Sequence, residues 1–218
     1  SYHGNSEMFC RLVDAYDWDF CQIQYNYLDE HSQAGRRGLH HAAAKGIPVI
    51  IMEPLRGGKL VNLLPAEARK VFAESGKGWT PAQWGLRWLW DQKEVTVVLS
   101  GMNSDEMVDD NINTACNTQI GELTDRDEEM LKSVVRVINA KMKVPCTGCG
   151  YCMPCPVGIE INNAARMSLM LRRAPEKAWL SDVWQKKMAL IDDCLECGQC
   201  AALWAGYPQS VEKELGRL

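Results

Sequence analysis

Seven of the ten cysteines in the 218-residue sequence stand in two tight groups, and their spacing is the feature most able to do chemistry. The first group reads Cys146-Thr-Gly-Cys149-Gly-Tyr-Cys152-Met-Pro-Cys155-Pro156, and the second reads Cys194-Leu-Glu-Cys197-Gly-Gln-Cys200. Three thiolates separated by two residues each wrap a loop around one 4Fe-4S cubane, and a fourth followed by Pro turns away toward a neighbouring cluster. Gly148, Gly150 and Gly198 allow the tight turns that such wrapping needs. Zinc is the competing metal, since it too favours Cys-x-x-Cys units. Zinc sites draw four thiolates from two pairs, however, and two tandem triplets plus a Cys-Pro fit a cluster better. Seven clustered thiolates with no cation would repel one another, which argues against a purely structural role.

Helical patterns over Asn162 to Arg173 and Trp179 to Ile191 separate the two groups and allow the chain to reverse, giving a small, mainly helical, ferredoxin-like two-cluster module. By the exchange rule of such modules, Cys194, Cys197 and Cys200 take Cys155 as their fourth ligand, and Cys146, Cys149 and Cys152 hold the other cluster. The residue three beyond Cys200, where that second set looks for its own fourth thiolate, is Trp204. Indole does not ligate iron as a thiolate does. One cluster is therefore a ligand short, which leaves a 3Fe-4S cluster, a 4Fe-4S cluster with a labile iron, an absent cluster, or a divergent tail over 201–218 as the alternatives.

Composition narrows the rest. A hydrophobic content of 46% can bury a core at this length, and the formal net charge of −4 with scattered Lys and Arg offers no basic stripe for nucleic acid. No apolar run approaches a membrane span and the first residues lack a signal-peptide layout, so a cytoplasmic protein with reduced thiols is expected. Cys10, Cys21 and Cys116 stand alone in apolar surroundings and are expected in the core.

The elements ahead of the cysteines alternate between helix and strand, the pattern of β-α units on a parallel sheet. Asn5 or Ser6 can cap a helix to about Tyr16, and Asp19 to Gln24 reads as a short strand. A helix from about Arg36 to Lys45 ends at Gly46, and Ile47 to Met52 is a continuous apolar strand. Thr80-Pro81 opens a helix through Trp90, with Pro81 at the first helical position; Val95 to Ser100 is a strand, and a helix begins near Ser104. Thr124 with Asp127 has the spacing of a capping box for a helix to about Lys141. Three strands, with a fourth cut short at Ser1, amount to about half of an eight-stranded parallel barrel. A preceding portion is accordingly expected to be missing, and the domain boundary is expected at Met142 to Pro145, dividing the chain into 1–141 and 142–218.

Ser1-Tyr2-His3-Gly4, Phe20 through Asn26, Met52-Glu53-Pro54-Leu55-Arg56-Gly57-Gly58, Leu99 through Met102 with Asn111, and Pro145 through Pro156 occur in the order found in one family. The chain resembles the aldo/keto reductases that carry a C-terminal 4Fe-4S dicluster domain. The resemblance implies an α/β fold, the C-terminal half of a (β/α)8 barrel followed by the cluster module, with the quoted stretches at the strand ends where cofactor and substrate sit. It implies that Ser1 and Gln22 contact the nicotinamide carboxamide and that Met52 lies beneath the ring. Pro54, Leu55, Gly57 and Gly58 would follow the pyrophosphate, and Gly101, Met102, Asn103, Met107, Asp110 and Asn111 the adenosine. The family commonly has a basic residue at the Met107 position to pair with the 2'-phosphate of NADPH, so the choice between NADP and NAD stays open.

The family's catalytic Asp, Tyr, Lys and His belong to barrel units that would precede Ser1, and no catalytic set is assigned here. Tyr25 and Tyr27 lie near a strand end without a neighbouring Lys and are not assigned as proton donors. His40 and His41 are expected on a partly exposed helix face, His3 at the strand end and His31 on a loop. The function implied is the C-terminal portion of an NAD(P)-linked oxidoreductase whose clusters pass single electrons between a partner protein and the barrel site, with a small carbonyl or alcohol as substrate. The alternative is a non-catalytic electron-transfer or docking module. Unpaired strand edges in a half barrel further predict association into an oligomer.

Overall fold

The computed structural model of the chain describes residues 1–140, 153–158 and 195. Two compact units divide it, Ser1–Ile138 and Asn139–Leu218. In the first, α1 (Ser6–Ala15), β1 (Cys21–Gln24), α2 (Gly35–Ala44) and β2 (Val49–Met52) are followed by α3 (Lys59–Asn62), α4 (Ala66–Ala73), α5 (Pro81–Trp90), β3 (Val97–Val98), α6 (Asp105–Cys116) and α7 (Asp125–Ala140).

Local signals in the sequence account for several boundaries. Asn5 caps α1 by accepting from the Met8 amide at 2.9 Å. Thr80 and Gln83 form a reciprocal capping box around the start of α5, and the Thr124 hydroxyl accepts from the Asp127 amide while the Asp127 carboxylate accepts from the Thr124 amide. Gly46 ends α2 with φ at +74°, a conformation other residues adopt at a cost. Along α7, Leu131, Val134 and Ile138 are buried at spacings of three and four, so the helix presents one apolar stripe.

The sheet is parallel, with β2 between β1 and β3. Cys21 pairs with Val49 and Gln24 with Met52; Ile50 and Ile51 pair with Val97 and Val98. Tyr2 adds a parallel bridge to Ile23 on the outer side of β1, its amide donating to the Gln22 carbonyl at 3.0 Å. Because side chains alternate, Ile23, Val49 and Ile51 share a face, and each is wholly buried on the side where α2 packs with Leu39 and Ala42. The opposite face carries Gln22, Gln24, Ile50 and Met52 and continues into Val97 and Leu99, which are 43% and 44% exposed. One side of the sheet is thus closed by helices, and the other leaves apolar side chains half open.

Two expectations require correction. The third strand is shorter than the apolar run: only Val97–Val98 has strand geometry, although Thr96 donates to the Val49 carbonyl and Leu99 to that of Ile51, extending the bonding by one residue each way. Cys116 is exposed, because it is the last residue of α6 and follows Ile112, itself 56% exposed, by four positions on the outer stripe of that helix. Cys10 is buried as expected and Cys21 half-buried. Desolvation pushes the Cys21 thiol up to about 11, so it is neutral at pH 8 and unreactive. Timed alkylation at pH 8 read by peptide mass spectrometry should therefore label Cys116 well before Cys21; equal rates would contradict these placements.

Candidate functional site

Three strands that run the same way bring three C-terminal ends to one edge of the sheet. Beyond β1 the chain continues Tyr25-Asn26-Tyr27-Leu28-Asp29, and beyond β2 it continues Glu53-Pro54-Leu55-Arg56-Gly57-Gly58. A buried polar network joins them. Arg56 grips Asp29 in a two-pronged pair, Nε to Oδ2 at 2.7 Å and Nη2 to Oδ1 at 2.8 Å, with both residues nearly inaccessible at 6% and 3%. Asn26 donates to Asp29 Oδ2 at 2.9 Å and to the Glu53 carbonyl at 3.0 Å, and its Oδ1 accepts from the Leu28 and Asp29 amides. Gln24 also donates to Asp29, Gln33 donates to Gln24, and His3 Nδ1 meets Gln33 Oε1 at 3.2 Å.

This network holds an unusual turn. Glu53, Arg56, Gly57 and Gly58 have φ of +54°, +50°, +59° and +77°. For Glu53 and Arg56 that conformation costs about 1–2 kcal/mol each, so the surrounding bonds must impose it. Gly57 and Gly58 carry it without side-chain strain. Within the turn the donating amides are those of Arg56, Lys59, Leu60, Val61 and Asn62; among the described residues, the amides of Gly57 and Gly58 enter none of these backbone bonds. Successive left-handed residues are one backbone setting in which amides can face an anion, and the Glu53 carboxylate lies beside Gly57, its Oε2 3.8 Å from where a Cβ would stand there.

The other residues read from the sequence fall into two places. Gln22 donates to the Met52 sulfur at 3.4 Å, which brings that pair together across the open face of β1 and β2. Ser1, at the exposed chain start, lines with Gln22 a cavity of about 110 Å³ bordered by Tyr2, Phe9, Trp18 and Cys21; Met52 is not part of that lining. After β3, Gly101, Met102 and Asn103 are exposed, and α6 begins behind them with Ser104 accepting from the Met107 amide. Asn111 donates to the Ser100 hydroxyl at 3.1 Å, and Asp110 accepts from Gln83 at 2.7 Å, so both residues are fixed to neighbouring elements.

The tyrosines are unsuited to proton donation. Burial pushes the Tyr25 hydroxyl up to about 12 while it donates to Gln92 at 3.0 Å, and Tyr27 is raised further by its own burial. His40 and His41 make surface contacts with Glu94 and Asp14. The residues that sequence reasoning missed are Asn26, Asp29 and Arg56. Arg56 sits inside a quoted motif, and the available signal was a cation next to two glycines just after a strand end.

Of the cysteine groups, Cys155 lies within the described residues; Cys146, Cys149, Cys152, Cys194, Cys197 and Cys200, and Trp204, lie outside them. Cys155 is a half-buried thiol free of any disulfide, on a turn that closes with the Gly158 amide donating to the Cys155 carbonyl at 2.9 Å. Such a thiol fits a soft metal centre as a ligand. No helix among the described residues is long and apolar enough to cross a membrane.

Comparison with known families supplies the remaining finding. A model described as the aldo/keto reductase family matches residues 7–136, and one described as a 4Fe-4S dicluster domain matches residues 145–203. No curated protein and no solved structure matches the chain.

Proposed function

The chain belongs to the aldo/keto reductase family and carries a 4Fe-4S dicluster domain behind the reductase part, and from that premise we propose an NAD(P)-linked oxidoreductase coupled to cluster electron transfer. An oxidoreductase with iron-sulfur electron transfer follows from the two domains together. The nicotinamide linkage is the finer step, and the observation that carries it is the clasped left-handed turn Glu53 to Gly58.

On this reading, residues 1–141 form the reductase part and 142–218 the cluster part of a cytoplasmic protein. The parallel order of β1, β2 and β3, and the half-open apolar face beside Gln22 and Met52, support a segment of a β/α barrel whose interior side is that face. A bound nicotinamide supplies hydride, a two-electron currency, and clusters supply single electrons. The chain's own part would be to bind and orient: Gly57 and Gly58 would offer amides to the pyrophosphate, Gln22 and Met52 would border the nicotinamide, and Gly101 to Asn103 with Asn111 would border the adenosine. The thiolates of Cys146, Cys149 and Cys152, and of Cys194, Cys197 and Cys200 with Cys155, would hold the clusters.

Anaerobically purified protein is expected to be brown, with broad visible absorption that bleaches on reduction, and to bind NADH or NADPH in a fluorescence titration. Gly58→Asp, which sets a carboxylate against the phosphates, should weaken that binding by roughly tenfold or more. A brown protein that binds neither nucleotide would favour the second reading, an electron-transfer or docking module. A colourless protein holding zinc would defeat both.

A further inference from the structure

A chain of side-chain hydrogen bonds runs from the buried clasp to His3, and its polarity is fixed link by link. The Asp29 carboxylate, held by the Arg56 guanidinium, has acceptors only, so the Gln24 group bonded to it at 3.2 Å is the amide nitrogen. The Gln24 side-chain oxygen therefore faces Gln33, which donates to it through its own amide nitrogen at 3.0 Å. That leaves the Gln33 side-chain oxygen toward His3, 3.2 Å from Nδ1. An oxygen that can only accept requires a proton on Nδ1, so a neutral His3 carries its lone pair on Nε2.

Backbone strain collects on the same network. Among the described residues, the non-glycine positions with positive φ are Gln33, Glu53 and Arg56, at +57°, +54° and +50°. Gln33 and Arg56 belong to the network through their side chains, and Glu53 through the carbonyl that Asn26 holds. Left-handed backbone at such residues persists where the surroundings impose it, and it clusters at functional sites. The relay also follows the open face of the sheet. Gln24 lies in register with Met52, next to the Gln22–Met52 contact, and the bridge from Tyr2 to Ile23 sets His3 level with the end of β1.

We propose that His3 contacts the bound ligand as a fixed acceptor, its Nε2 taking a hydrogen bond from a hydroxyl or amide group of the molecule held at the C-terminal end of the sheet. Asp29, Gln24 and Gln33 are positioning residues that act through the imidazole. A ligand group that can only accept, such as a carboxylate, meets no donor on Nε2 of the neutral ring. The ligand contact rests on the nucleotide reading above, whereas the position of the proton does not.

Nuclear magnetic resonance of the whole chain with nitrogen-15 in its four histidines tests both, at a pH where the imidazole is neutral and with the His3 signal identified by its loss in His3→Gln. In the unaltered chain the protonated nitrogen should be Nδ1. Gln33→Gly removes the constraint and suits the positive φ at that position, so the proton should pass to Nε2, the form an unconstrained imidazole favours. Gln33→Met should do the same. A proton on Nε2 in the unaltered chain, or one that stays on Nδ1 in both variants, would overturn the fixed acceptor. Adding NADH or NADPH, with binding followed separately by fluorescence, should shift the Nε2 resonance upfield and leave Nδ1 nearly unmoved. An Nε2 resonance unchanged by bound nucleotide would overturn the ligand contact. Binding of neither nucleotide would remove the nucleotide reading and the contact with it, while the proton position stands or falls on the first comparison.

Discussion

Alanine at Cys149 is expected to remove about half of the iron and acid-labile sulfide from the anaerobically prepared chain, with a matching loss of visible absorption. On the proposed ligand assignment Cys149 is the middle thiolate of its triplet, and the cluster that triplet would hold is the one whose fourth position falls on Trp204. Losing one of three remaining protein ligands leaves too little to retain a cubane. Alanine at Cys155 should act on the other cluster, since the exchange rule gives that thiolate to Cys194, Cys197 and Cys200. The double replacement then discriminates. If the two cysteines serve different clusters, their losses add and almost no iron remains; if they serve the same one, the double variant resembles either single variant. Iron content unchanged by Cys149→Ala would mean that the first triplet holds no cluster.

The cysteine spacing and the order of the family's motifs were legible because both are local or sequential patterns. Thr80 with Gln83, and Thr124 with Asp127, are likewise three residues apart, so their caps could be read before any fold was known. Short helices were not legible. The four-residue α3 buries Leu60, and the eight-residue α4 buries Ala68 and Phe72, too few contacts to set a helical period above the noise of the sequence. The run Val95 to Ser100 has the composition of a full strand, yet its composition alone does not say that only two residues keep strand geometry against β2. Cys116 misled for a related reason. Apolar neighbours in sequence do not share a helix face, and the outer stripe with Ile112 is set by what α6 packs against, which is α5.

The candidate site divides along the same line. Gln22, Met52, Gly57 and Gly58 lie within quoted motifs, and the structure brings the first two into contact and gives the last two left-handed backbones. What positions them is a pair separated by twenty-seven residues, Asp29 and Arg56, with Asn26 bridging to the Glu53 carbonyl. Arg56 lies within a quoted motif and Asp29 does not, and no spacing pattern links the two. Their significance arises only when β1 and β2 lie side by side and their ends need a common anchor, a consequence of sheet register rather than of composition.

That anchor carries the largest stability effect expected in the first unit. Arg56→Met leaves Asp29 buried at 3% exposure with its charge uncompensated, and such removals cost about 3–5 kcal/mol. Asp29→Leu should also destabilise the unit, since it removes both charge-assisted bonds that Asp29 makes with the buried guanidinium. Urea unfolding followed by circular dichroism measures both. In the double variant Asp29→Leu/Arg56→Met both members of the buried pair are gone, so its loss should be smaller than the sum of the single losses by at least ~2 kcal/mol. Recovery should stay incomplete, because Gln24 and Asn26 would keep buried amide donors that now point at Asp29. The turn also loses the contact that imposes positive φ on Glu53 and Arg56, so it can relax toward ordinary backbone. Nucleotide affinity should therefore remain weakened in the double variant even where stability recovers. Single replacements costing under about 1 kcal/mol would mean that the pair is not the buried clasp its geometry describes.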